Sequence, residues 1–213
     1  MLSETDRSVY QYDSGTMSAG SPADEATAAR ERILDTAYDL FAQRGIRAVG
    51  IDEVIAESKV AKATLYRHFP SKDDLVIAFL ENREQRWTFG FVEAESRRRG
   101  ATPEAQLLAI FDVFHDWFHE VEFEACSFIN VLLELGPHHP AGAACVKHLA
   151  NIRGVVADRA RRAGLRDPED FARSWHILMK GSIISAAEGD ARAAQRAKEM
   201  ARALIERYRQ SAK

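Results

Sequence analysis

Between Lys62 and Phe69 the chain reads Lys-Ala-Thr-Leu-Tyr-Arg-His-Phe, and five of these eight side chains can donate hydrogen bonds. Lys62 and Arg67 bring positive charge, Thr64 and Tyr66 bring hydroxyls, and His68 brings an imidazole. This chemistry suits a phosphate-lined groove. Cations neutralise phosphates, Tyr and His donate to phosphate oxygens, and short side chains at a helix start can reach base edges. Taken alone, the same run reads more readily as a solvated amphipathic helix. The elements around it must separate the two readings.

Whole-chain charge does not. The 213 residues carry a net charge of −3, which exerts no global pull toward nucleic acid or an anionic membrane. Any anion site must therefore be a local patch. Residues 28–72 hold eight basic against six acidic side chains, a small excess lying beside the octapeptide, whereas residues 1–27 are acidic.

Hydrophobic spacing supplies the positioning elements. Residues 1–23 are rich in Ser, Gly, Asp and Thr and too poor in apolar side chains to offset ordering, so a disordered leader is expected there. Ile33, Ala37, Leu40 and Phe41 then mark one face of a helix, which Gly45 can end. A short helix with Ile51, Val54 and Ile55 inward follows. Ser58-Lys-Val60 is the turn into the octapeptide, whose apolar side is Val60, Leu65 and Phe69. Pro70 breaks the chain, and Ser71 with Asp74 makes a capping-box start for a helix with Leu75, Val76, Phe79 and Leu80 inward. Two short helices joined by a tight turn and packed on a longer one have the form of a helix-turn-helix, whose second helix enters the DNA major groove. Ala61, Lys62 and Thr64 then stand nearest the bases. Tyr66, Arg67 and His68 face phosphates, as does Lys72 at the start of the next helix, whose N–H groups themselves attract phosphate.

Residues 30–80 resemble the DNA-binding domain of the TetR/AcrR family of transcriptional regulators. The likeness runs through Ile33-Leu-Asp-Thr-Ala37, Leu40-Phe41, Gly45, Ile51-Asp-Glu-Val54, Val60 to Phe69 and Ser71-Lys-Asp-Asp-Leu75. It implies a homodimer on a palindromic operator of double-stranded DNA, released when a small molecule enters the C-terminal domain; the expected sign is repression. Two departures stand out. Lys59 occupies a turn position where the family often has Gly, and Val49-Gly50 stands where a Ser or Thr often precedes the second helix.

Beyond residue 80 the periodicity stays helical. Segments near 103–120, 124–135, 140–163, 168–188 and 190–211 are apolar-periodic, with Thr102-Pro103 and Asp167-Pro168 as capped starts. No alternating Val/Ile/Thr pattern calls for a sheet. The expectation is an all-α protein of about nine helices, with a leader over 1–23, a helix-turn-helix domain over 24–72 and a ligand-binding, dimerising domain over 73–213. By resemblance the ligand pocket would draw on Trp87, Phe91, Phe111, Phe114, His115, Phe128, Asn130, Leu133, Trp175 and Met179, with His148 and Ser182 as further polar candidates. The effector is expected to be largely apolar. Cys126, Asn130 and Glu134 resemble a segment that recurs in one large subgroup of the family. Small residues at three- and four-residue spacing in the last two helices suit a four-helix bundle with a second subunit.

Other chemistry is not expected. There is no Gly-x-Ser-x-Gly elbow, so no hydrolase, and no cofactor is implied. His115 and His119 lie one helical turn apart without a clear third ligand, so no metal is expected. Cys126 and Cys145 have no metal-ligand spacing, and neither a leader peptide nor a membrane span is evident. A cytoplasmic protein with reduced thiols follows as an expectation.

Overall fold

A computed structural model of the protein describes residues 22–121 and 123–209. The leader expected over 1–23 lies outside these residues, apart from Pro22 and Ala23, which already stand in the first helix. The helices are α1 (Pro22–Arg44), α2 (Ile51–Ser58), α3 (Lys62–His68), α4 (Lys72–Arg83), α5 (Ala94–Arg99), α6 (Pro103–Phe118), α7 (Ser127–Leu135), α8 (Pro140–Arg162), α9 (Pro168–Ala187) and α10 (Ala193–Tyr208). Between α4 and α5 the backbone stays helical but widens into a π-helix over Glu84–Glu93. The stretch from Lys72 to Arg99 is therefore one unbroken rod. Counted as one, it brings the described residues to nine helices, with no strand beyond a single bridge between Leu165 and Arg209. No described helix is long and apolar enough to cross a membrane.

The helix ends follow local chemistry. Gly45, at φ 78°, ends α1 in a left-handed conformation that costs glycine little. The Ser71 hydroxyl accepts from the Asp74 N–H at 3.1 Å, and the Asp74 carboxylate accepts from the Ser71 N–H at 2.9 Å, so α4 starts on a complete capping box. Thr102 caps α6 through the Ala105 N–H at 3.2 Å. Asp167 differs from expectation: its side chain makes no cap, and its backbone is left-handed at φ 47°. The cause is tertiary. Leu165 bridges to Arg209 and the Arg166 N–H donates to the Tyr208 carbonyl, so the turn into α9 is tied to the end of α10.

Two apolar clusters hold the molecule. One gathers Ile33, Ala37 and Phe41 of α1, Val54 and Leu65 of the following short helices, Phe69 just past α3, and Leu75, Val76, Phe79 and Leu80 of α4, and continues into Phe128, Val131, Cys145 and Leu149. The N-terminal helices thus share a core with α7 and α8. The other cluster packs α6, α8, α9 and α10 around Phe111, Phe171 and Trp175, all 1% exposed or less. Arg159 is buried beside it. Its guanidinium donates to the Ser96 hydroxyl at 2.8 Å, the Glu93 carbonyl at 3.0 Å and the Gln106 carbonyl at 3.2 Å, tying α8 to the end of the rod.

Candidate nucleic-acid interface and internal cavity

The placement of α3 is set by its apolar side. Leu65 and Phe69 are buried, at 0% and 3% exposure, so the opposite side must face outward. There Ala61, Lys62, Tyr66 and Arg67 are exposed and Thr64 is half-buried. Ser58 at the end of α2 is buried, and its hydroxyl donates to the Val54 carbonyl at 2.6 Å. Lys59 then makes the turn at φ 54°, ψ 41°, the left-handed conformation that glycine would take at least cost.

The polar side chains have partners in this state. Lys62 Nζ donates to Asp52 Oδ1 at 3.2 Å, with both side chains well exposed, so the pair is weak and can be exchanged for a phosphate or a base. Lys72 Nζ donates to the Ile46 carbonyl at 2.6 Å, which ties the start of α4 to the α1–α2 turn and leaves two further ammonium hydrogens. His68 is half-buried, and its Nε2 lies inside without a hydrogen-bond partner among the described residues. Arg67 and Thr64 border a groove shared with Arg32 of α1 and with Lys59. Arg32 and Lys59 add two cations to this face that hydrophobic spacing does not single out.

A cavity of about 50 Å³ lies between the π-helical segment and α6 to α9. Trp87 and Val92 wall it on one side, Phe114 and Trp117 on the next, with Phe128 and Ile129, Leu149 and Ile152, and Met179 and Ile183 completing the lining. Among the described residues four polar side chains reach it: Thr88, Cys126, His176 and Lys180. Burial pushes the Cys126 thiol up from its ordinary value, so it stays protonated and behaves as a small hydrophobe. Burial, reinforced by the nearby charges of Lys180 and Arg153, pushes the His176 imidazole down to about 3. That imidazole is neutral at pH 7, and its Nδ1 has no hydrogen-bond partner among the described residues.

The residues expected from sequence at the pocket divide. Trp87, Phe114, Phe128 and Met179 stand in the cavity wall. Phe111 and Trp175 lie behind it in solid core, their rings 5.3 Å apart. Phe91 borders a surface groove with Tyr38 and Arg86. His115 turns to α10, its Nδ1 3.0 Å from the Gln195 amide nitrogen, while His119 Nδ1 lies 2.7 Å from the His115 carbonyl. Among the described residues no three His, Cys, Asp or Glu side chains form a metal-binding group. Asn130 is exposed and donates to the Glu124 carbonyl at 3.4 Å, and Leu133 is 78% exposed. The Ser182 hydroxyl is satisfied by the Met179 carbonyl at 2.8 Å. His148 is buried against Phe128, its Nδ1 2.8 Å from Glu84 Oε2 in a close contact that misses hydrogen-bond geometry.

Contacts also join the cavity helices to the N-terminal ones. Glu134 of α7 accepts from the backbone N–H groups of Ile46 and Arg47 at 3.3 and 2.7 Å. Glu84, where the rod widens, accepts from the Asn151 amide at 2.9 Å. Trp87 and Trp117 separate the cavity from a surface groove bordered by Tyr38 and Arg83. Arg83 stacks over Trp87 at 4.7 Å and donates to the Tyr38 hydroxyl of α1.

Residues 33–79 match the family model described as bacterial regulatory proteins, tetR family. Over 50 residues the chain is 48% identical to the HTH-type transcriptional repressor Rv3405c of Mycobacterium tuberculosis, covering 24% of this chain and 27% of that protein. Over 96 residues it is 32% identical to the HTH-type transcriptional activator FasR of Mycolicibacterium smegmatis, covering 45% and 42%. The chain thus spans well under half the length of these curated relatives. Among solved structures it is similar to SCO4454, a TetR-family transcriptional regulator from Streptomyces coelicolor, with a TM-score of 0.77 and 28% identity over 86% of this chain and 97% of that one. The reduced form of NemR from E. coli has the same fold at 18% identity, with a TM-score of 0.74 over 84% and 97%.

Proposed function

We propose that this chain, which belongs to the tetR family of bacterial regulatory proteins, is a DNA-binding regulator that holds a two-fold operator as a homodimer and leaves it when an effector enters the cavity. The observation that carries the DNA-binding part is the division of α3. Its anchors Leu65 and Phe69 are sealed in the core while Ala61, Lys62, Tyr66 and Arg67 stand outside. We assign base-edge contacts to Ala61, Lys62 and Thr64, and backbone contacts to Tyr66, Arg67, His68 and Lys72. For His68, Nδ1 is the nitrogen left for this role, since Nε2 lies inside.

The second subunit is expected on the last two helices. Ile177 and Ile184 of α9 are 68% and 43% exposed around Gly181, and Met200 of α10 is 58% exposed. Apolar side chains standing out of a face that also holds glycine allow close approach of a symmetry mate. Repression is the sign we take, as printed in the name of the mycobacterial relative that is 48% identical over 50 residues.

Release follows from the shared walls. At about 50 Å³ the cavity is well below the roughly 300–1,000 Å³ typical of small-molecule sites, so an effector must push the lining apart. Displacing Trp87 disturbs Arg83 and through it Tyr38 of α1. Displacing Phe128 moves α7, whose Glu134 holds the α1–α2 turn. An effector that favours the widened state shifts the population away from the head spacing that fits adjacent major grooves, ~34 to 36 Å apart.

Genome-wide recovery of bound fragments tests this reading. The expected sites share a two-fold repeat, and Lys72→Ala or Tyr66→Phe weakens all of them while changes at Lys62 or Thr64 alter which are preferred. Recovery of no selective sites would leave a helical interaction module as the better account, and sites without a repeat would remove the dimer.

A further inference from the structure

The effector cavity has one polar end with a charge imbalance. His176 and Lys180 lie one turn apart on α9 and both border the cavity. His176 is 3% exposed, and its unpartnered Nδ1 is a buried polar atom of the kind that native structures rarely leave unsatisfied. Lys180 is half-buried, and neither it nor Arg153 of α8 has an ion-pair partner among the described residues. Both cations act on the same imbalance, since each disfavours protonation of His176. Arg153 in turn lowers Lys180, after burial itself. Among the described residues no carboxylate borders this cavity; the rest of their lining is apolar or carries only Thr88 and Cys126.

We infer that the cavity is built for an apolar monocarboxylic acid, with the carboxylate held at the α9 end by Lys180 and His176 and the hydrocarbon or aromatic tail lying toward Trp87, Phe114 and Phe128. This inference rests on the proposed role of the cavity as an effector site and adds the chemical class. A carboxylate supplies the charge that Lys180 and Arg153 lack and accepts from the imidazole N–H in the tautomer that places the proton on Nδ1. A dianionic headgroup would lose more hydration than this small, largely apolar space returns. Tail size is set by movement of the wall, for which the flexible Met179 side chain is suited.

The test titrates the full chain with octanoate and 4-phenylbutyrate and with their neutral amides, read by calorimetry and by fluorescence of Trp87 and Trp117. The acids are expected to bind about tenfold or more tightly than the amides, the scale of a charged hydrogen bond. Lys180→Met should abolish that preference and Lys180→Arg should retain it, with thermal melts showing that both variants fold. Amides that bind as tightly as the acids, a preference that survives Lys180→Met, or no binding of either acid up to millimolar concentration would each overturn the inference. A parallel measurement on recovered operator DNA separates the two ideas. Acids that bind selectively without releasing DNA uphold the ligand class and remove the effector role.

Discussion

The helix-turn-helix face and the cavity make opposite use of their side chains. At the face, α3 is seven residues long, two anchors fix it, the side chains proposed to act are exposed or half-buried, and Lys62 is free to exchange Asp52 for another partner. At the cavity, the polar groups are enclosed by walls drawn from the π-helical segment and four further helices, so a change at any wall is felt by the others. One site is a local motif on a scaffold, and the other exists only where distant segments meet. Perturbations should therefore stay local at the face and spread from the cavity.

The largest expected contrast is within the body. Trp175→Ala removes a fully buried ring from solid packing and should cost about 3–5 kcal/mol, whereas Met179→Ala, beside space already empty, should fall near the low end of the ~2–5 kcal/mol range for such truncations. Chemical denaturation of both variants checks it, and equal losses would mean that the cavity wall is as tightly packed as the core. Next comes acid sensitivity. His176 is ordinarily near 6.5 but is held at about 3 in the fold, so between these values the unfolded chain binds a proton that the folded chain does not. Stability should decline as pH falls through that window by up to about 1.4 kcal/mol per unit from this group. In His176→Phe the decline should be shallower, as measured by denaturant midpoints at stepped pH.

Glu134→Ala probes the link between the two regions. It leaves the Ile46 and Arg47 N–H groups without their acceptor, at a cost of about 1–2 kcal/mol, and should lower DNA affinity although Glu134 lies on α7. A gel shift with unchanged affinity would show the regions to be independent. The smallest effect is expected at Lys59→Gly, which should stabilise the chain by about 1 kcal/mol by relieving the left-handed turn. The same change should weaken DNA binding, because it removes a cation from the groove beside α3, so melting temperature and affinity should move in opposite directions.

Much of the first region was legible because its signals are adjacent in the chain. Gly45 ending α1, the Ser71–Asp74 capping box and the inward set of Leu65 and Phe69 each depend on residues within a few positions of one another. Arg32 carries no local signal of its place, because it reaches the α3 groove from a different helix. In the body, aromatic spacing pointed at Trp87, Phe114, Phe128 and Met179, but the same spacing also pointed at Phe111 and Trp175, which are core. Periodicity reports that a side chain faces inward and is silent on whether another side chain fills the space opposite. His176 and Lys180 gave no motif of their own, and the π-helical widening over Glu84–Glu93 has no clear sequence mark beyond Gly90, where an added Cβ would come within 3.0 Å of the Gln85 carbonyl oxygen.

By itself, then, the sequence determined the all-α class, most helix boundaries, the helix-turn-helix and its outward chemistry, since each rests on short-range sterics, capping and periodic burial. Tertiary structure alone decided that α1 and α4 share a core with α7 and α8, that Glu134 grips the α1–α2 turn, and that Asp167 turns left-handed instead of capping α9. It also decided that His176, whose Nδ1 has no hydrogen-bond partner among the described residues, and Lys180 line the same largely apolar cavity. These are relations between residues tens of positions apart, and they depend on how helices pack, which local periodicity does not encode.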